Sequence, residues 1–305
     1  MPKAAISALV CTSNRPDSLL RAVRSLLTTT ESDVELIVID QSDGLESQRL
    51  LSDAIDDARL RHVRFPRRGK GAALNEGLRQ AQAEIVVCTD DDCEVPPGWI
   101  SAMARTLAEQ PTAAVAFCNI VAPPCDWTAG YVPTYERRED RLLRSLLDTR
   151  TGHGMGAGMA LRRDVVRAWG GFDEQVGPGA RFPSGDDWDI AHRALLKGWH
   201  VYETADLEVL HHGFRTLEQG RAHMHRDWLA IGAVCAKPIR AGYGSGVLLA
   251  LWCFLAYGLW PPLHDVLRLR RPTGRSQLTG FVEGFVKGIL TPVDRGTLLF
   301  HSRPS

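Results

Sequence analysis

Three consecutive aspartates, Asp90-Asp91-Asp92, follow an apolar run at 85–88 that predicts a buried strand. Carboxylates this close repel one another and raise each other's pKa unless a cation or hydrogen-bond donors compensate. In an extended chain alternate side chains point the same way, so Asp90 and Asp92 could share one divalent metal ion while Asp91 turns aside. The alternative interpretation is a solvated acidic turn with a helix-capping role before Pro96.

A second group of carboxylates, Asp186, Asp187 and Asp189, crowds the beginning of a predicted helix at 187–197. The helix dipole favours acidic residues at this end, but capping accounts for one of them and hardly for all three. An exposed carboxylate here could act as a general base toward a hydroxyl group.

Two adjacent histidines, His211 and His212, end a predicted strand. Neighbouring side chains in a strand point to opposite faces, so only one imidazole can easily join the aspartates at a metal ion. A structural role is the alternative for either histidine, and the sequence leaves open which of the two faces the metal.

Two further segments could bind a nucleotide. Asp40 follows the apolar run at 36–39, where a carboxylate suits hydrogen bonding to a base or a ribose; a helix cap or turn residue is the alternative. The basic segment at 67–71 contains Arg68 and Lys70 and begins a predicted helix, whose free backbone amides could hold a diphosphate. Basic loops are common, so this motif alone does not identify a ligand.

Alternating hydrophobic periods predict the elements that position these residues. In the first 118 residues the predicted strands lie at 5–10, 35–39, 60–65, 85–88 and 113–117, and the predicted helices at 16–28, 45–58, 71–83 and 97–109. Further along we expect a short helix at 141–147, a strand at 159–161 and a strand pair leading to the histidines. This alternation is typical of an α/β fold with a mostly parallel sheet covered by helices. Ligands of such sheets bind beyond the carboxyl ends of the strands, so the polar strand ends should converge on one cleft.

The C-terminal third has a different character. Residues 241–263 contain no charge, yet only about 14 of them are strictly apolar, fewer than the roughly 20 that a comfortable membrane span needs. Glycines at 280, 284 and 288 would share one helical face and let another helix approach closely. Cationic residues flank the uncharged segment, namely Lys237, Arg240, Arg268, Arg270, Arg271 and Arg275. Membrane attachment, with the cations facing anionic headgroups, and a buried helical hairpin in a soluble domain are the two interpretations.

Composition narrows the class of protein. The 305 residues carry 36 basic and 36 acidic side chains, and this balance argues against a broad nucleic-acid-binding surface. Seven cysteines without a Cys-x-x-Cys pair fit free thiols in a reducing compartment. The apolar stretch at 4–10 is too short for a signal peptide, so we expect the protein in the cytoplasm.

Several motifs together resemble the family 2 glycosyltransferases. They cover residues 4 to 215 in order, at 8–16, 38–42, 75–77, 89–96, 156–163, 170–174 and 185–189. The resemblance implies a GT-A fold and an inverting transfer from a nucleotide-diphosphate sugar, with a UDP-sugar favoured and Mn²⁺ or Mg²⁺ as cofactor. We expect a glycan or lipid-linked acceptor, the lipid-linked one if the C-terminal region sits in the membrane, and the charge balance predicts no nucleic acid partner.

The resemblance also implies roles for individual residues. Thr12, Arg15 and Asp40 would surround the nucleoside, and Asp91 would lie near the donor sugar or ribose. Asp90 and Asp92 would bind the metal, His211 would complete that site, and Asp187 would be the general base. Three departures stand out. Asp186 replaces the usual Glu before the base, Gly158 stands where Asn is frequent, and Leu74 occupies the position of a diphosphate-binding arginine, so we expect Arg68 or Lys70 to replace it.

The predicted organisation has three parts: a nucleotide-sugar-binding subdomain at 1–118, an acceptor-binding and catalytic subdomain at 119–215, and a C-terminal helical region at 216–305. We expect attachment to the inner face of the cell membrane through residues 241–290. The alternative functions are a sugar nucleotidyltransferase, which would not need a base in the second half, and a non-catalytic membrane-tethered module that binds a nucleotide sugar.

Overall fold

A computed structural model describes residues 5–28, 33–268 and 274–301. The first half contains strands β1 (Ile6–Thr12), β2 (Val34–Asp40), β3 (Leu60–Arg64), β4 (Ile85–Asp90), β5 (Cys93–Glu94) and β6 (Ala113–Val121), and helices α1 (Pro16–Leu26), α2 (Glu46–Ala54), α3 (Lys70–Gln80) and α4 (Trp99–Ala108). The second half adds β7 (Gly130–Tyr131), β8 (Arg141–Leu143), β9 (Gly158–Arg162), β10 (His200–His211) and β11 (Arg215–Thr216), with helices α5 (Arg163–Ala168), α6 (Asp186–Leu196), α7 (Leu217–Ala241), α8 (Ser245–Cys253), α9 (Trp260–Leu267) and α10 (Arg275–Leu290).

The large sheet confirms the predicted α/β fold. Its strand order is β3-β2-β1-β4-β9-β6-β10-β5, with β8 also paired to β10, while β7 and β11 form a separate pair. Strands β1 to β4 run parallel to one another, and every residue of β2 is buried. A strand covered on both faces needs a nearly continuous apolar run, as the sequence of β2 supplies.

Strand β9 lies antiparallel between β4 and β6, with Gly158 opposite Thr89. Because β9 begins where β4 ends, the loop that precedes β9 is brought to the edge that carries the aspartate triplet. The predicted short helix at 141–147 is wrong, since this segment divides into β8 and a 3-10 helix at Leu146–Thr151. The predicted strand pair before His211 is the single strand β10.

Helices α7 and α10 pack in parallel through the glycines that the sequence predicted on one face. A Cβ atom on Gly280, Gly284 or Gly288 would overlap the backbone of α7 near His225, Leu229 and Ala233 respectively. Glycine is therefore required at all three positions if the two helices are to stay this close. The helix is continuous from Ser245 to Leu267, through a π-helical stretch at Phe254–Leu259.

This continuous helix is long and apolar enough to cross a membrane, and 28% of its most apolar stretch is buried. The sequence placed six cations around it. Arg270 and Arg271 lie outside the described residues, and Lys237 is only 3% exposed, so Lys237 is not a cation that faces headgroups. The boundaries at 118 and 215 stay predictions.

Candidate functional site

A cleft with a volume of about 410 Å³ lies beyond the carboxyl ends of β1 and β4. Eight of the ten predicted site residues line it, namely Thr12, Arg15, Arg68, Lys70, Asp90, Asp91, Asp92 and His211. The parallel strands bring most of these side chains to one edge of the sheet, and Arg15 directly precedes α1. The convergence that the strand ends predicted is therefore present in the fold.

Asp91 is the buried member of the triplet. The hydroxyl of Thr12 donates to Asp91 Oδ2 at 2.7 Å, and Arg15 Nη1 donates to Asp91 Oδ1 at 3.2 Å. Burial raises the pKa of Asp91 to about 6, although Thr12 and Arg15 act in the opposite direction. Asp91 therefore holds its proton more tightly than an ordinary aspartate.

Asp92 has the opposite electrostatic character. Its carboxylate lies 3.5 Å from His211 Nε2 and accepts a hydrogen bond from Arg15 at 3.0 Å. Burial favours the protonated form, but His211 and Arg15 outweigh it and lower the pKa of Asp92 to about 2. Burial likewise opposes the charged form of His211, yet Asp92 outweighs it and raises the pKa of His211.

The two histidines face opposite sides of β10. His211 Nδ1 lies 2.9 Å from the carbonyl of Pro133, and His211 Nε2 faces Asp92. An Nδ1–H that donates to a carbonyl leaves the Nε2 lone pair free for a metal ion. His212 points away from the cleft and lies 2.9 Å from Glu94. The geometry thus distinguishes two residues that the sequence could not.

One group of potential metal ligands lies in the described part of the chain: atoms of Asp92, Cys93 and His211 within 4.8 Å of one another. Burial raises the pKa of the Cys93 thiol well above its ordinary value, so Cys93 stays protonated and is a poor ligand. Asp90, the predicted partner of Asp92, is outside this group, and its carboxylate contacts Lys70 instead.

Lys70 connects the two acidic clusters. Its ammonium lies 2.6 Å from Asp90 Oδ1 and 3.7 Å from Asp186 Oδ2. Gly69, with φ of 110°, makes the turn that starts α3 and directs Lys70 into the cleft. Burial alone would lower the pKa of Lys70, but Asp90 and Asp186 raise it well above its ordinary value. The lysine is therefore a permanent cation between the two clusters.

Asp187 lies at the beginning of α6. The backbone N–H of Gly156, in the loop before β9, donates to Asp187 Oδ2 at 3.2 Å, and the N–H of Trp188 donates to Oδ1 at 2.8 Å. Burial raises the pKa of Asp187, and the charge of Lys70 partly opposes that change. The neighbouring Asp186 behaves similarly, since burial raises its pKa to about 6.

Asp40 differs from the other predicted site residues because its side chain is fully buried behind the cleft. Its oxygens accept from the N–H of Ser42 at 2.8 Å and face His62 at 3.0 Å. These contacts, working against burial, lower the pKa of Asp40. Arg68 lines the cleft but is exposed and donates to Asp43 at 2.8 Å. The nucleotide-binding roles of Asp40 and Arg68 stay predictions.

The sequence did not predict a buried ionic network behind the cleft. Lys237 of α7 contacts Asp189 and lies 2.6 Å from Asp173, while Arg193 lies 3.5 Å from Asp189. Arg193 also donates to the carbonyls of Trp169 and Gly171. The acidic residues at the start of α6 were the sequence signal for this network, because helix capping could not account for Asp189. Its partner lay outside the region that the resemblance covers.

Known proteins resemble this chain in both sequence and fold. A glucosyl-dolichyl phosphate glucuronosyltransferase from Haloferax volcanii is 29% identical over 217 residues, or 68% of this chain and 66% of that protein. A GalNAc(5)-diNAcBac-PP-undecaprenol beta-1,3-glucosyltransferase from Campylobacter jejuni is 30% identical over 112 residues, which is 36% of each protein. The chain thus spans less than two thirds of the length of these relatives.

Two solved structures share the fold. A mannosyltransferase from Pyrobaculum calidifontis, in complex with GDP-Man and Mn²⁺, superimposes with a TM-score of 0.62 at 19% identity, over 94% of this chain and 88% of that one. The S. aureus protein TarS in complex with UDP-GlcNAc gives a TM-score of 0.64 at 13% identity, over 93% and 81%.

The sequence model described as Glycosyl transferase family 2 matches residues 7–170, more than half of the chain. This stretch begins in β1 and includes the aspartate triplet and Lys70. The chain therefore belongs to glycosyl transferase family 2.

Proposed function

We propose that this protein is an inverting glycosyltransferase that moves a sugar from a nucleotide-diphosphate donor to a hydroxyl group of a glycan or lipid-linked acceptor. One observation carries the proposal. Lys70 lies 2.6 Å from Asp90 and 3.7 Å from Asp186, next to Asp187, so a cation joins the triplet to the carboxylate suited to act as base. Donor and acceptor chemistry would then meet in one cleft.

The metal site would use Asp92 and His211, with Asp90 as the third predicted ligand. The donor set fits, because the Nε2 atom of His211 faces the ionised carboxylate of Asp92, and imidazole and carboxylate groups suit Mn²⁺ or Mg²⁺. When bound, the cation would neutralise charge that develops on the departing diphosphate. The Mn²⁺ in the Pyrobaculum neighbour supports a divalent ion of this kind.

The chain's own cations would bind the donor. Arg15 contacts Asp91 and Asp92, yet 56% of its side chain is exposed. It can therefore turn toward a ligand without breaking any buried packing. Lys70 lies deeper, and Arg68 is exposed at the margin of the cleft. A diphosphate could gain charge-assisted hydrogen bonds from all three. Thr12 and Arg15 hold Asp91, which would contact the donor sugar or ribose.

Asp187 would remove the proton from the acceptor hydroxyl. Two backbone N–H groups fix its orientation, and burial raises its pKa, which makes it a better base than an exposed aspartate. The acceptor oxygen would attack the anomeric carbon on the face opposite to the departing diphosphate. One base is sufficient for this direct displacement, and the anomeric configuration would be inverted.

The donor base and the acceptor are the parts that the residues determine least. The solved neighbours bind GDP-Man and UDP-GlcNAc respectively, and we favour a UDP-sugar because of the sequence resemblance. The Haloferax and Campylobacter relatives are named after lipid-linked sugars, glucosyl-dolichyl phosphate and GalNAc(5)-diNAcBac-PP-undecaprenol respectively. Together with the apolar C-terminal helices, they favour a lipid-linked acceptor and work at the inner face of the membrane.

A panel of nucleotide sugars with Mn²⁺ or Mg²⁺ tests the reaction class. Slow hydrolysis that releases a nucleoside diphosphate from one donor would support sugar transfer, and NMR of the product would then show whether its anomeric configuration is inverted. Formation of a nucleoside triphosphate and a sugar 1-phosphate when pyrophosphate is added to the nucleotide sugar would support a nucleotidyltransferase instead. Absence of any turnover, with nucleotide-sugar binding retained, would support a non-catalytic binding module.

The substitution Asp187→Asn tests the base. We expect transfer to fall by about 100-fold or more while donor affinity, measured by titration calorimetry, stays unchanged. The same change at Asp53, exposed on the surface of α2, is the matched control and should leave both quantities unaltered. Normal turnover by Asp187→Asn would contradict the assignment.

A further inference from the structure

The C-terminal helices expose a continuous apolar surface. Thirteen of the seventeen large apolar side chains that are exposed in the described residues lie between positions 247 and 290. They belong to the helix Ser245–Leu267 and to α10, and we call these exposed side chains the apolar face. Leu248 is 56% exposed and Leu267 is 69% exposed. A contiguous exposed patch of this kind marks an interaction surface rather than a core.

The path of the chain determines how this face can meet a membrane. Gly246, near the start of the helix, packs on Pro238 at the end of α7, and Gly258 packs on Leu278 of α10. The part of the helix from Gly246 to Gly258 therefore lies against α7 and α10. If it crossed a bilayer, α7 and α10 would have to enter the hydrocarbon with it.

Helices α7 and α10 cannot enter hydrocarbon cheaply, because both carry ionic groups along their length. Asp227 of α7 lies 3.4 Å from Arg215, and His225 of α7 lies 3.2 Å from Glu283 of α10, which is also paired with Lys287. Burying such charges in a bilayer is expensive.

The chain after α10 also returns to the catalytic domain. The N–H of Phe300 donates to Asp173 at 2.8 Å, and the carbonyl of Thr297 accepts from Arg193 at 3.1 Å. Both flanks of the helix Ser245–Leu267 are thus fixed to the same body, on the same side of any membrane. A single crossing would separate these flanks, so this arrangement favours a helix that lies along the surface of a bilayer over one that crosses it.

Arginines surround the apolar face. The guanidinium of Arg150 lies 5.7 Å from the ring of Trp252, whose Nε1 donates to the Arg150 carbonyl. Arg240, Arg268 and Arg275 are exposed at the ends of α7, α9 and α10, and none of them has an ion-pair partner among the described residues. Exposed cations and tryptophans around an apolar surface match an anionic membrane, where both are stabilised at the headgroup level.

We infer that the apolar face lies flat in one leaflet of an anionic bilayer, as a monotopic anchor that does not span it. The inference specifies the mode of the membrane attachment proposed above. An apolar groove of about 310 Å³ opens between α8 and α10, lined by residues such as Leu251, Phe285 and Val286, and it would receive a lipid chain from the same leaflet. The catalytic cleft then stays on the cytoplasmic side with its bound donor.

Co-sedimentation with vesicles tests this surface. The probe is a vesicle of phosphatidylcholine and phosphatidylglycerol, compared with pure phosphatidylcholine. We expect Leu255→Glu/Leu263→Glu to weaken binding by about tenfold or more, because both leucines would enter the bilayer. Leu45→Glu is the matched control, since Leu45 is 44% exposed against 45% for Leu255 and 43% for Leu263. Circular dichroism checks that each variant is folded.

Charge gives a second variant that does not depend on apolar packing. Arg240→Gln/Arg268→Gln should weaken binding to the anionic vesicles by about fivefold for each arginine, and should change little with pure phosphatidylcholine. Wild-type protein that stays in the supernatant, or a double-leucine variant that sediments like the wild type, would overturn the proposal. A solution dimer that buries the apolar face and ignores vesicles would also overturn it.

Quenching of tryptophan fluorescence by brominated lipids distinguishes a helix that lies in the plane of the membrane from one that crosses it. Trp252 and Trp260 are about 12 Å apart along the helix axis, so a crossing helix would place them at different depths. We expect equal quenching of both by bromines near the headgroups, assigned with Trp252→Phe and Trp260→Phe. Unequal depths would contradict the in-plane orientation. Donor hydrolysis measured without vesicles distinguishes the membrane anchor from the proposed glycosyltransferase function. The leucine variants should retain this hydrolysis. Vesicle binding by a protein that hydrolyses no donor would contradict only the proposed function.

Discussion

The two acidic clusters of this protein contain the same kind of side chain and use it differently. In the triplet at the end of β4, all three carboxylates line the cleft. Asp90 contacts Lys70, whereas Asp91 and Asp92 share Arg15 and are distinguished by Thr12 and His211 respectively. At the start of α6, Asp186 and Asp187 lie near the cleft, whereas Asp189 is enclosed by Lys237 and Arg193. Residue type therefore does not determine function here; the partner that the fold supplies does.

The two clusters also differ in whether a ligand could replace the cation that contacts them. Arg15 contacts the triplet while more than half exposed, so a ligand can replace that contact at small cost. Lys237 is buried with Asp173 and Asp189, where nothing from solvent can replace it. The predictions that follow test this contrast.

The largest effect is expected from Lys237→Met. The change removes the cation from between two buried carboxylates, and such a loss costs about 3–5 kcal/mol of unfolding free energy. Denaturant unfolding measures it. Arg240→Met, one turn further along α7 and exposed, should change stability little. If both variants unfolded alike, the buried network would not be what fixes α6.

The pH dependence of stability should have opposite signs at Asp91 and Asp92. The pKa of Asp91 in the folded protein, about 6, exceeds its usual value of 3.8. As pH rises from about 4 to 6, the unfolded chain therefore loses the Asp91 proton first. The free energy of unfolding of the wild type should fall by about 3 kcal/mol relative to Asp91→Asn over this range. The folded pKa of Asp92, about 2, is lower than usual. The wild type should therefore gain stability relative to Asp92→Asn as pH rises from about 2 to 4, and lose it on acidification.

Denaturant titrations of the two variants across this pH range, without added metal, provide the measurement. A change of the same sign for both variants would mean that the neighbouring carboxylates share one environment. That result would remove the distinction between a buried Asp91 and an ion-paired Asp92.

The smallest effect concerns the two histidines. His211→Ala should weaken Mn²⁺ and nucleotide binding together, by about tenfold, because Asp92 loses its neighbour. His212→Ala is the matched control, since that side chain faces Glu94 outside the cleft. Calorimetry with and without a chelator checks both. Equal losses from the two variants would indicate an effect on β10 rather than on a metal site.

Periodicity predicted the order of strands and helices well, because a parallel sheet leaves a clear alternation in the sequence. It failed where the signal was short. The segment at 141–147 forms a strand and a 3-10 helix rather than a short helix, since Leu143 is buried by pairing with the distant β10. The antiparallel insertion of β9 likewise depends on long-range pairing that no local pattern reports.

In the candidate site, too, the sequence predicted the residues at strand ends but not those whose position depends on long-range contacts. Residues at strand ends, such as Thr12 and Asp91, could be placed in one cleft from the sequence. The choice between His211 and His212 could not, because it depends on which face of β10 lies toward Asp92 and the cleft. Lys237 was assigned to a membrane flank, since its partners Asp173 and Asp189 are far away in sequence.

The buried network has a consequence for how the protein is made. Asp173 accepts one hydrogen bond from the N–H of Phe300, and Arg193 donates one to the carbonyl of Thr297. A ribosome supplies these partners more than a hundred residues after Asp173 has been synthesised. The nascent catalytic half therefore lacks two hydrogen bonds of this network until residue 300 has emerged, and a truncation before Thr297 would loosen the network without deleting any residue that lines the cleft.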